Sequence, residues 1–374
     1  MSDENKIKIG IVAGEHSGDA LGAELIKALK KNAKLEVCGV GGPKLESLGL
    51  QSIFDFSILH MIGLVDPILN YRKLIKARKK IIDTFINKKI DFFIAIDSPD
   101  FNIGIHKTLK KNNIAKNIQV VSPSVWGWRQ GRIKKIKKYI DYTACLFNFE
   151  HEFYKEQKLR SIHLGHPLGN ALIETKDQIC SKLSMDSNLN YISVLPGSRY
   201  SELKYMLPVF IEFIKMHSIK NNGYEYLIPA SDEKNEATIK KILSNENIHE
   251  GIKIIVKSGL SREFFLVSDF SIVASGTASL EAAVFGANPI ICYKTNFLNY
   301  SIISKMLKVD HIGLPNLLFN KRLFPELLQK NCSAKKILSA VNSLSVRDDS
   351  LQMSLIRLLK GKGFDKTSRE ILSL

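Results

Sequence analysis

Residues 274–289, reading ASGTASLEAAVFGANP, bring together the side-chain types that a nucleotide requires. An apolar run, Phe270–Ala274, leads into the small-residue turn Ser275-Gly276-Thr277, and the helical pattern that follows carries Glu281 about one turn inside. A helix start leaves its first backbone N–H groups free and favours negative charge. Gly276 lets a phosphate approach the backbone, and Ser275 or Thr277 can cap the helix or bond a phosphate oxygen. Glu281 lies on the same face, where its carboxylate can accept from two neighbouring ribose hydroxyls. A well-capped α/β helix with no ligand is the plainer reading of the same residues.

A second loop offers a similar corner. Leu195-Pro196-Gly197-Ser198-Arg199 follows the apolar run Tyr191–Leu195 and precedes Glu202. A helix N-terminus adds about 0.3–2 kcal/mol to holding an anion, and a charge-assisted bond from arginine adds roughly 1.5–3 kcal/mol. A leaving diphosphate needs both, because the chain has no DxD motif to bring a divalent ion and no metal-ligand cluster. Ser198, Arg199 and the Ser275–Thr277 turn are therefore expected to take the diphosphate, with no cofactor. A surface ion pair with Glu202 is the other role open to Arg199.

The first half opens with Ala13-Gly14-Glu15-His16-Ser17-Gly18-Asp19. This is neither GxGxxG nor a Walker loop, so dinucleotide and ATP readings are weak. The loop can bring a substrate to the backbone at Glu15, Ser17 and Gly18, or simply turn the chain, with Ser17 or Asp19 capping the next helix. Ile96-Asp97-Ser98-Pro99-Asp100-Phe101-Asn102 ends another apolar run, which places Asp97 at the carboxyl end of a strand. A partly desolvated carboxylate there has a raised pKa and can take a proton from an attacking hydroxyl. Asp97 is the candidate base. Asp100 suits capping of the helix that starts near Asn102, and a turn cap led by Pro99 is the alternative for Asp97. The two tryptophans, Trp126 and Trp128, precede Arg129 in VSPSVWGWR (121–129). Indoles beside a basic segment suit a sugar, an acyl chain or a lipid interface, as well as base stacking or core packing. His163 and His166 lie three apart with no carboxylate near, so His166 reads as a hinge or cleft residue.

The elements that must position these loops alternate along the chain. Strand-like runs fall at Ile7–Val12, Leu35–Val40, Phe92–Ile96, Ile118–Val121 and Thr143–Leu146, with helical patterns at Leu21–Lys31, Ile68–Ile86, Ile103–Lys111 and Arg132–Tyr139. The second half repeats the theme, with runs at Tyr191–Leu195, Glu225–Ile228, Ile252–Val256, Phe270–Ala274 and Pro289–Tyr293. Continuous apolar strands alternating with helices specify parallel sheets covered on both faces. The fold class is therefore α/β, with two doubly wound domains whose strand ends face a cleft. The expected boundaries are 1–168, 169–335 and a helical segment, 336–374, that packs back on the first domain or on a partner chain. A homodimer is one arrangement this allows.

Among 374 residues, 54 Lys and Arg outweigh 37 Asp and Glu, a net charge of +17. Residues 1–169 hold 28 Lys and Arg against 17 Asp and Glu, a net of +11, so the excess is concentrated there. Arg72, Lys73, Lys76, Arg78, Lys79 and Lys80 form one cluster, and Arg129–Lys138 contains another. The first follows the apolar stretch Ile58–Leu69, a combination that suits docking on an anionic membrane face as well as a core helix with a solvated outer side. The N-terminus lacks an apolar signal core, no run of about 20 apolar residues could span a bilayer, and five scattered cysteines fit a reducing cytoplasm. The expected location is cytoplasmic, peripheral on a membrane face.

Taken together, AGEHSGD (13–19), GVGGPKL (39–45), MIGLVDPI (61–68), IDSPDFN (96–102), VSPSVWGWR (121–129), LFNFE (146–150), GHPL (165–168), LPGSR (195–199), ASGTASLE (274–281) and LPNLL (314–318) resemble the lipid-A-disaccharide synthases, inverting glycosyltransferases of Gram-negative bacteria. The resemblance implies a GT-B fold of two Rossmann-like domains. It implies transfer from UDP-2,3-diacylglucosamine to 2,3-diacylglucosamine 1-phosphate (lipid X), giving the β-1,6-linked disaccharide 1-phosphate and UDP at the cytoplasmic face of the inner membrane. Asp97 would be the base; Ser198, Arg199, Ser275, Gly276, Thr277, Glu281, Asn316 and Gln329 would serve the nucleotide-sugar; Glu15, Ser17, Gly18, Trp126 and Arg129 would face the acceptor. His16 stands where the family often has a smaller residue and is given no catalytic role. The rivals are a related GT-B UDP-N-acetylglucosamine transferase or epimerase acting on another substrate, and a basic nucleic-acid-binding protein, for which no recognised motif speaks.

Overall fold

The computed structural model describes residues 6–56, 58–59, 71–126, 130–221, 223–274, 276–295, 310–344 and 349–374. Within them the chain forms two compact units, Met1–His166 with Leu359–Leu374, and Pro167–Leu358.

The first unit is built on a seven-stranded parallel sheet: β1 (Ile7–Ala13), β2 (Leu35–Val40), β3 (Gln51–Ser52), β4 (Phe92–Ile96), β5 (Lys116–Val120), β6 (Tyr142–Cys145) and β7 (Ser161–His163), in the order β3-β2-β1-β4-β5-β6-β7. All five residues of β4, FFIAI, are buried, as a central parallel strand covered on both faces requires. In register, Ile9 pairs with Phe92 and Ala13 with Ile96, so β1 and β4 end side by side. The order reverses between these two strands, and α/β sheets take their ligands in the crevice at such a point. The helix His16–Lys30 turns Leu21, Leu25, Ile26 and Leu29 inward. Gly18 and Gly22 bring it close to the sheet: a Cβ on either would lie 3.2–3.3 Å from side-chain carbons of Ile11 or Ile96.

The second unit carries β8 (Asn190–Leu195), β9 (Tyr224–Ala230), β10 (Ile254–Ser258), β11 (Phe270–Ala274), β12 (Asn288–Tyr293) and β13 (Glu326–Leu328), in the parallel order β10-β9-β8-β11-β12-β13. Its order reverses between β8 and β11, where Phe270 pairs with Ile192 and Val273 with Leu195. Its core joins Phe210, Phe213 and Ile214 of the helix Tyr200–Ser218 to the sheet and to the helix Ala334–Ser343.

The last helix, Gly363–Leu372, belongs to the first unit. It meets the helix His16–Lys30 and its end, with Lys31 Nζ 3.0 Å from Asp365 Oδ1 and Asn32 Nδ2 donating to Ser368 Oγ at 3.2 Å. The chain enters this unit beside Gly165, where the His166 amide donates to the Leu359 carbonyl at 2.9 Å and the Lys362 amide to the His163 carbonyl at 2.8 Å. Gly165 (φ +97°) and Gly361 abut so closely that a Cβ on either would fall within 2.4 Å of the other's backbone nitrogen.

The sequence reading missed β3, β7 and β13. Each has two or three residues and sits at or near a sheet edge, where pairing needs no apolar run long enough to show periodicity. Thr175–Asn190, expected as a linker or short helix, contains the helix Lys176–Leu183, capped by Thr175. Among the described residues no helix is long and apolar enough to cross a membrane.

Candidate functional site

In the second unit the loops after β8 and β11 border a cavity of about 440 Å³ whose lining includes Gly197, Ser198, Arg199, Gly276, Thr277 and Glu281. The segments singled out from sequence thus converge at the switch point. Gly197 holds φ +106°, and a Cβ there would lie 2.4 Å from Glu202 Oε2. Only glycine fits that turn. Glu202 is spent on the turn itself: its Oε2 accepts from the amides of Ser198 (3.0 Å) and Arg199 (3.2 Å). Asn235 fixes the loop from behind by donating to the Ser198 carbonyl at 2.9 Å. Arg199 makes no ion pair within 4.0 Å among the described residues and stays exposed at the cavity.

Gly276, at φ +149°, is the residue before the helix Thr277–Val284 and is also confined to glycine by its backbone. Ser279 folds back to donate to the Gly276 carbonyl at 2.8 Å, which tightens the helix start. Glu281 lines the cavity, and its carboxylate has no hydrogen-bond or ion-pair partner among the described residues. Burial raises its pKa. A half-buried carboxylate facing a cavity without a protein partner is left to take its hydrogen bonds from water or a ligand. Ser275 lies outside the described residues.

Asn316 and Gln329 behave differently. Asn316 is fully buried; its Nδ2 donates to the Phe324 carbonyl (2.9 Å) and Glu326 Oε1 (2.8 Å), and its Oδ1 accepts from the amides of Leu323 and Phe324, both at 2.9 Å. Both donors and both acceptor positions of the amide are engaged within the protein. Gln329, at the carboxyl end of β13, holds a left-handed backbone (φ +51°), and its Nε2 is buried without a partner among the described residues. Sequence reasoning missed Ser231 and Ser261, which also line the cavity. Their position just after β9 and just after β10 was the available signal.

In the first unit the carboxyl ends of β1, β4, β5 and β6 carry Glu15, Asp97, Trp126 and Glu150. Asp97 is exposed at the end of β4, yet the residues packed around it desolvate its carboxyl and raise its pKa, the Glu15 charge acts the same way, and the Ser98 amide pulls it back. Asp97 (φ +50°), Ser98 (φ +43°) and Val121 (φ +69°) all hold left-handed backbone. Each costs about 1–2 kcal/mol relative to ordinary conformations, and such strain gathers at functional sites. Glu15 is exposed before the helix His16–Lys30, Ser17 is exposed, and Gly18 is buried against Ile96. Asp19 caps a different turn from the one expected: it accepts from the amides of Gly42 (2.8 Å), Lys44 (2.9 Å) and Leu45 (3.1 Å). Asp100 is not the helix cap. The helix Pro99–Lys111 starts after Ser98, and both carboxylate oxygens of Asp100 accept from one Arg132 nitrogen, at 2.5 and 2.7 Å.

Trp126 is half-buried, edge-on to Phe149 (4.7 Å between centroids), and its Nε1 donates to Glu150 Oε1 at 3.1 Å. Trp128 and Arg129 lie outside the described residues. Glu150 was missed as a functional candidate although it closes the motif LFNFE. It is 4% exposed, and its Oε2 accepts from the Phe147 amide at 3.2 Å. Burial pushes its carboxyl up to about 8, the Asp97 charge acts the same way, and the Phe147, Leu146 and Trp126 donors oppose them. The folded state therefore keeps a proton that the unfolded chain releases above about 4.5. Between these values stability falls as pH rises, by up to about 1.4 kcal/mol per pH unit, and it levels off above the folded value. Urea midpoints measured from pH 5 to 8 should favour Glu150→Gln over the parent increasingly with pH. A gap between the two that does not change with pH would remove Glu150 as the titrating group.

The helix Tyr71–Lys88 presents Arg72, Lys73, Lys76 and Lys79 as exposed residues, with Ile75 43% exposed among them. Arg78 is half-buried, its Nε donating to the Phe101 carbonyl (3.1 Å), while the exposed Lys80 donates from Nζ to the Ile53 carbonyl (3.0 Å). Of Ile58–Leu69, only Ile58 and Leu59 are described; residues 60–69 lie outside the described residues.

Residues 9–367 match the protein-family model described as lipid-A-disaccharide synthetase. The lipid-A-disaccharide synthase of Alteromonas mediterranea is 36% identical over 350 residues, covering 92% of this chain and 91% of its own length. Lipid-A-disaccharide synthase 2 of Legionella pneumophila (strain Paris) is 37% identical over 362 residues, covering 96% and 92%. Among solved structures, UDP-GlcNAc 2-epimerase from Neisseria meningitidis bound to UDP-GlcNAc aligns with a TM-score of 0.61 at 12% identity, over 98% of this chain and 99% of that one. A glycosyltransferase from Rickettsia africae aligns with a TM-score of 0.54 at 14% identity, over 99% and 97%. At those identities the structures share the fold, a GT-B arrangement of two parallel-sheet domains.

Proposed function

This chain belongs to the lipid-A-disaccharide synthetase family, and on that premise we propose how its residues divide the work of the reaction. The protein is a glycosyltransferase that forms the lipid A disaccharide. Its donor is UDP-2,3-diacylglucosamine and its acceptor 2,3-diacylglucosamine 1-phosphate. The acceptor 6-hydroxyl loses its proton to Asp97 as its oxygen attacks the anomeric carbon. The bond from that carbon to the diphosphate breaks on the opposite face, its electron pair leaves with UDP, and the configuration inverts to β.

The observation that carries the donor site is Glu281, a carboxylate without a partner among the described residues, inside a cavity that also holds Gly276 and Arg199. Ribose hydroxyls supply the donors it lacks. Arg199 and the helix start at Thr277, with Ser275 and Ser198, take the charge that develops on the diphosphate. Gln329, whose buried Nε2 has no partner among the described residues, is assigned to the sugar, and Asn316 acts through the turn it braces. Glu15, Ser17, Trp126 and Arg129 face the acceptor, and Gly18, buried against Ile96, lets the helix His16–Lys30 lie close to the sheet. The exposed cations of the helix Tyr71–Lys88, each worth about 1 kcal/mol near an anionic surface, and Ile58–Leu69 hold the enzyme peripherally on the cytoplasmic face of the inner membrane. Incubation with both substrates in detergent tests the whole reading. Mass spectrometry should find the disaccharide 1-phosphate and UDP, formed only when both are present. UDP released without a disaccharide, or product from UDP-N-acetylglucosamine alone, would favour the epimerase-like alternative.

A further inference from the structure

Behind Asp97 lies a buried polar chain that no step of the reaction uses. Asn102 is fully buried, and its Nδ2 donates to the Asp97 carbonyl at 2.9 Å. Gln119, 1% exposed in β5, donates from Nε2 to the same carbonyl at 3.2 Å and to the carbonyls of Val120 (3.1 Å) and Val121 (3.3 Å). With its nitrogen facing three carbonyls, the Gln119 amide turns its oxygen to His106 Nε2, 3.2 Å away. A proton on His106 Nε2 satisfies this contact, and Nδ1 has no hydrogen-bond partner among the described residues. The Asp97 amide is held as well, donating to the Val120 carbonyl at 2.9 Å. Both polar groups of the Asp97 peptide are thus tied down while the backbone at Asp97, Ser98 and Val121 is left-handed. A strained turn persists only where its surroundings over-determine it.

We propose that Asn102 and Gln119, with His106 orienting Gln119, are positioning residues: they lock the left-handed Asp97 peptide so that its carboxylate is aimed at the acceptor hydroxyl. The inference rests on Asp97 being the base. Burial holds His106 neutral, its pKa lowered to about 4, so the chain keeps one hydrogen-bonding sense across the working pH range.

The near-isosteric variants Asn102→Leu and Gln119→Met remove the donors without emptying the core. Misaiming a catalytic group by about 1 Å can cost on the order of 100-fold. Each variant should therefore lose roughly 10- to 100-fold in kcat with the KM for the UDP-sugar and the affinity for UDP within about two-fold of the parent. Added to Asp97→Asn, neither should lower the residual rate further, because there is no base left to aim. A kcat within two-fold of the parent, or the same factor lost again on top of Asp97→Asn, overturns the proposal. Near-normal turnover in Asp97→Asn alone would instead bring down the base assignment, so the two failures are distinguishable. Should Asn102→Leu or Gln119→Met fail to fold, His106 gives a second route. His106→Gln keeps a donor near the Nε2 position and should retain activity, whereas His106→Leu should lose it. Equal activity of these two variants would also overturn the proposal.

Discussion

Asp97→Asn lowers turnover by about 10²- to 10⁴-fold, the usual contribution of a placed general base, and leaves UDP binding and the fold as they were. The asparagine keeps the size and the backbone geometry of the aspartate but cannot take a proton. Fold should survive because the turn is fixed mainly by the Asp97 backbone, bonded to Asn102, Gln119 and Val120, and the carboxylate's bond from the Ser98 amide is one that an asparagine oxygen can also accept. UDP binding should survive because the residues assigned to the nucleotide belong to the other unit. A second readout comes from pH. Desolvation by the surrounding residues and the Glu15 charge raise the Asp97 pKa, so the acid limb of the parent's kcat profile should sit above that of an unperturbed aspartate. Asp97→Asn should abolish that limb in the residual activity. Near-parental turnover, or an unchanged acid limb, would refute the assignment.

Arg199→Ala should lower kcat by roughly 10²- to 10³-fold, as removal of one preorganised donor to a developing negative charge does. The charge on the departing diphosphate grows along the reaction, so a cation beside it acts more on the transition state than on the bound donor. Among the described residues Arg199 has no ion-pair partner to lose, so the change should leave stability nearly untouched. Glu281→Ala is the informative contrast. Its carboxylate faces the ribose in this reading, which is equally present before and during reaction. Its loss should weaken UDP by about 1.5–3 kcal/mol, the worth of hydrogen bonds to a charged group, with a smaller effect on kcat. Calorimetric titration with UDP and steady-state kinetics on the two variants check this. The assignment fails if the two patterns are exchanged, or if Glu281→Ala binds UDP as the parent does.

Much of the frame was legible because its signals are local. The buried runs of β1, β4, β8 and β11 stand out as apolar segments, and the loops after them stand out as Gly, Ser and charged residues at strand ends. The edge strands β3, β7 and β13 were not legible, since a two- or three-residue strand exists only by pairing with a neighbour distant in sequence. Capping roles were misplaced for a similar reason. Asp19 reaches a turn 23–26 residues away, and Asp100 meets an arginine 32 residues on.

The sequence by itself determined that two parallel sheets form, that a glycine-bearing helix start with Glu281 behind it sits at the end of one and Asp97 at the end of the other, and which family the motifs resemble. These follow from residue type and from spacings of a few residues, which set backbone freedom, charge and periodicity. Only the tertiary structure decided that Glu281 lacks a partner among the described residues while Glu202 is consumed by its own loop, that Asn316 is fully engaged within the protein, that Glu150 is buried near Asp97, and that Asn102, Gln119 and His106 stand behind the base. Each of these depends on desolvation and on hydrogen bonds between segments far apart in the chain, and those exist only once the strands have been laid side by side.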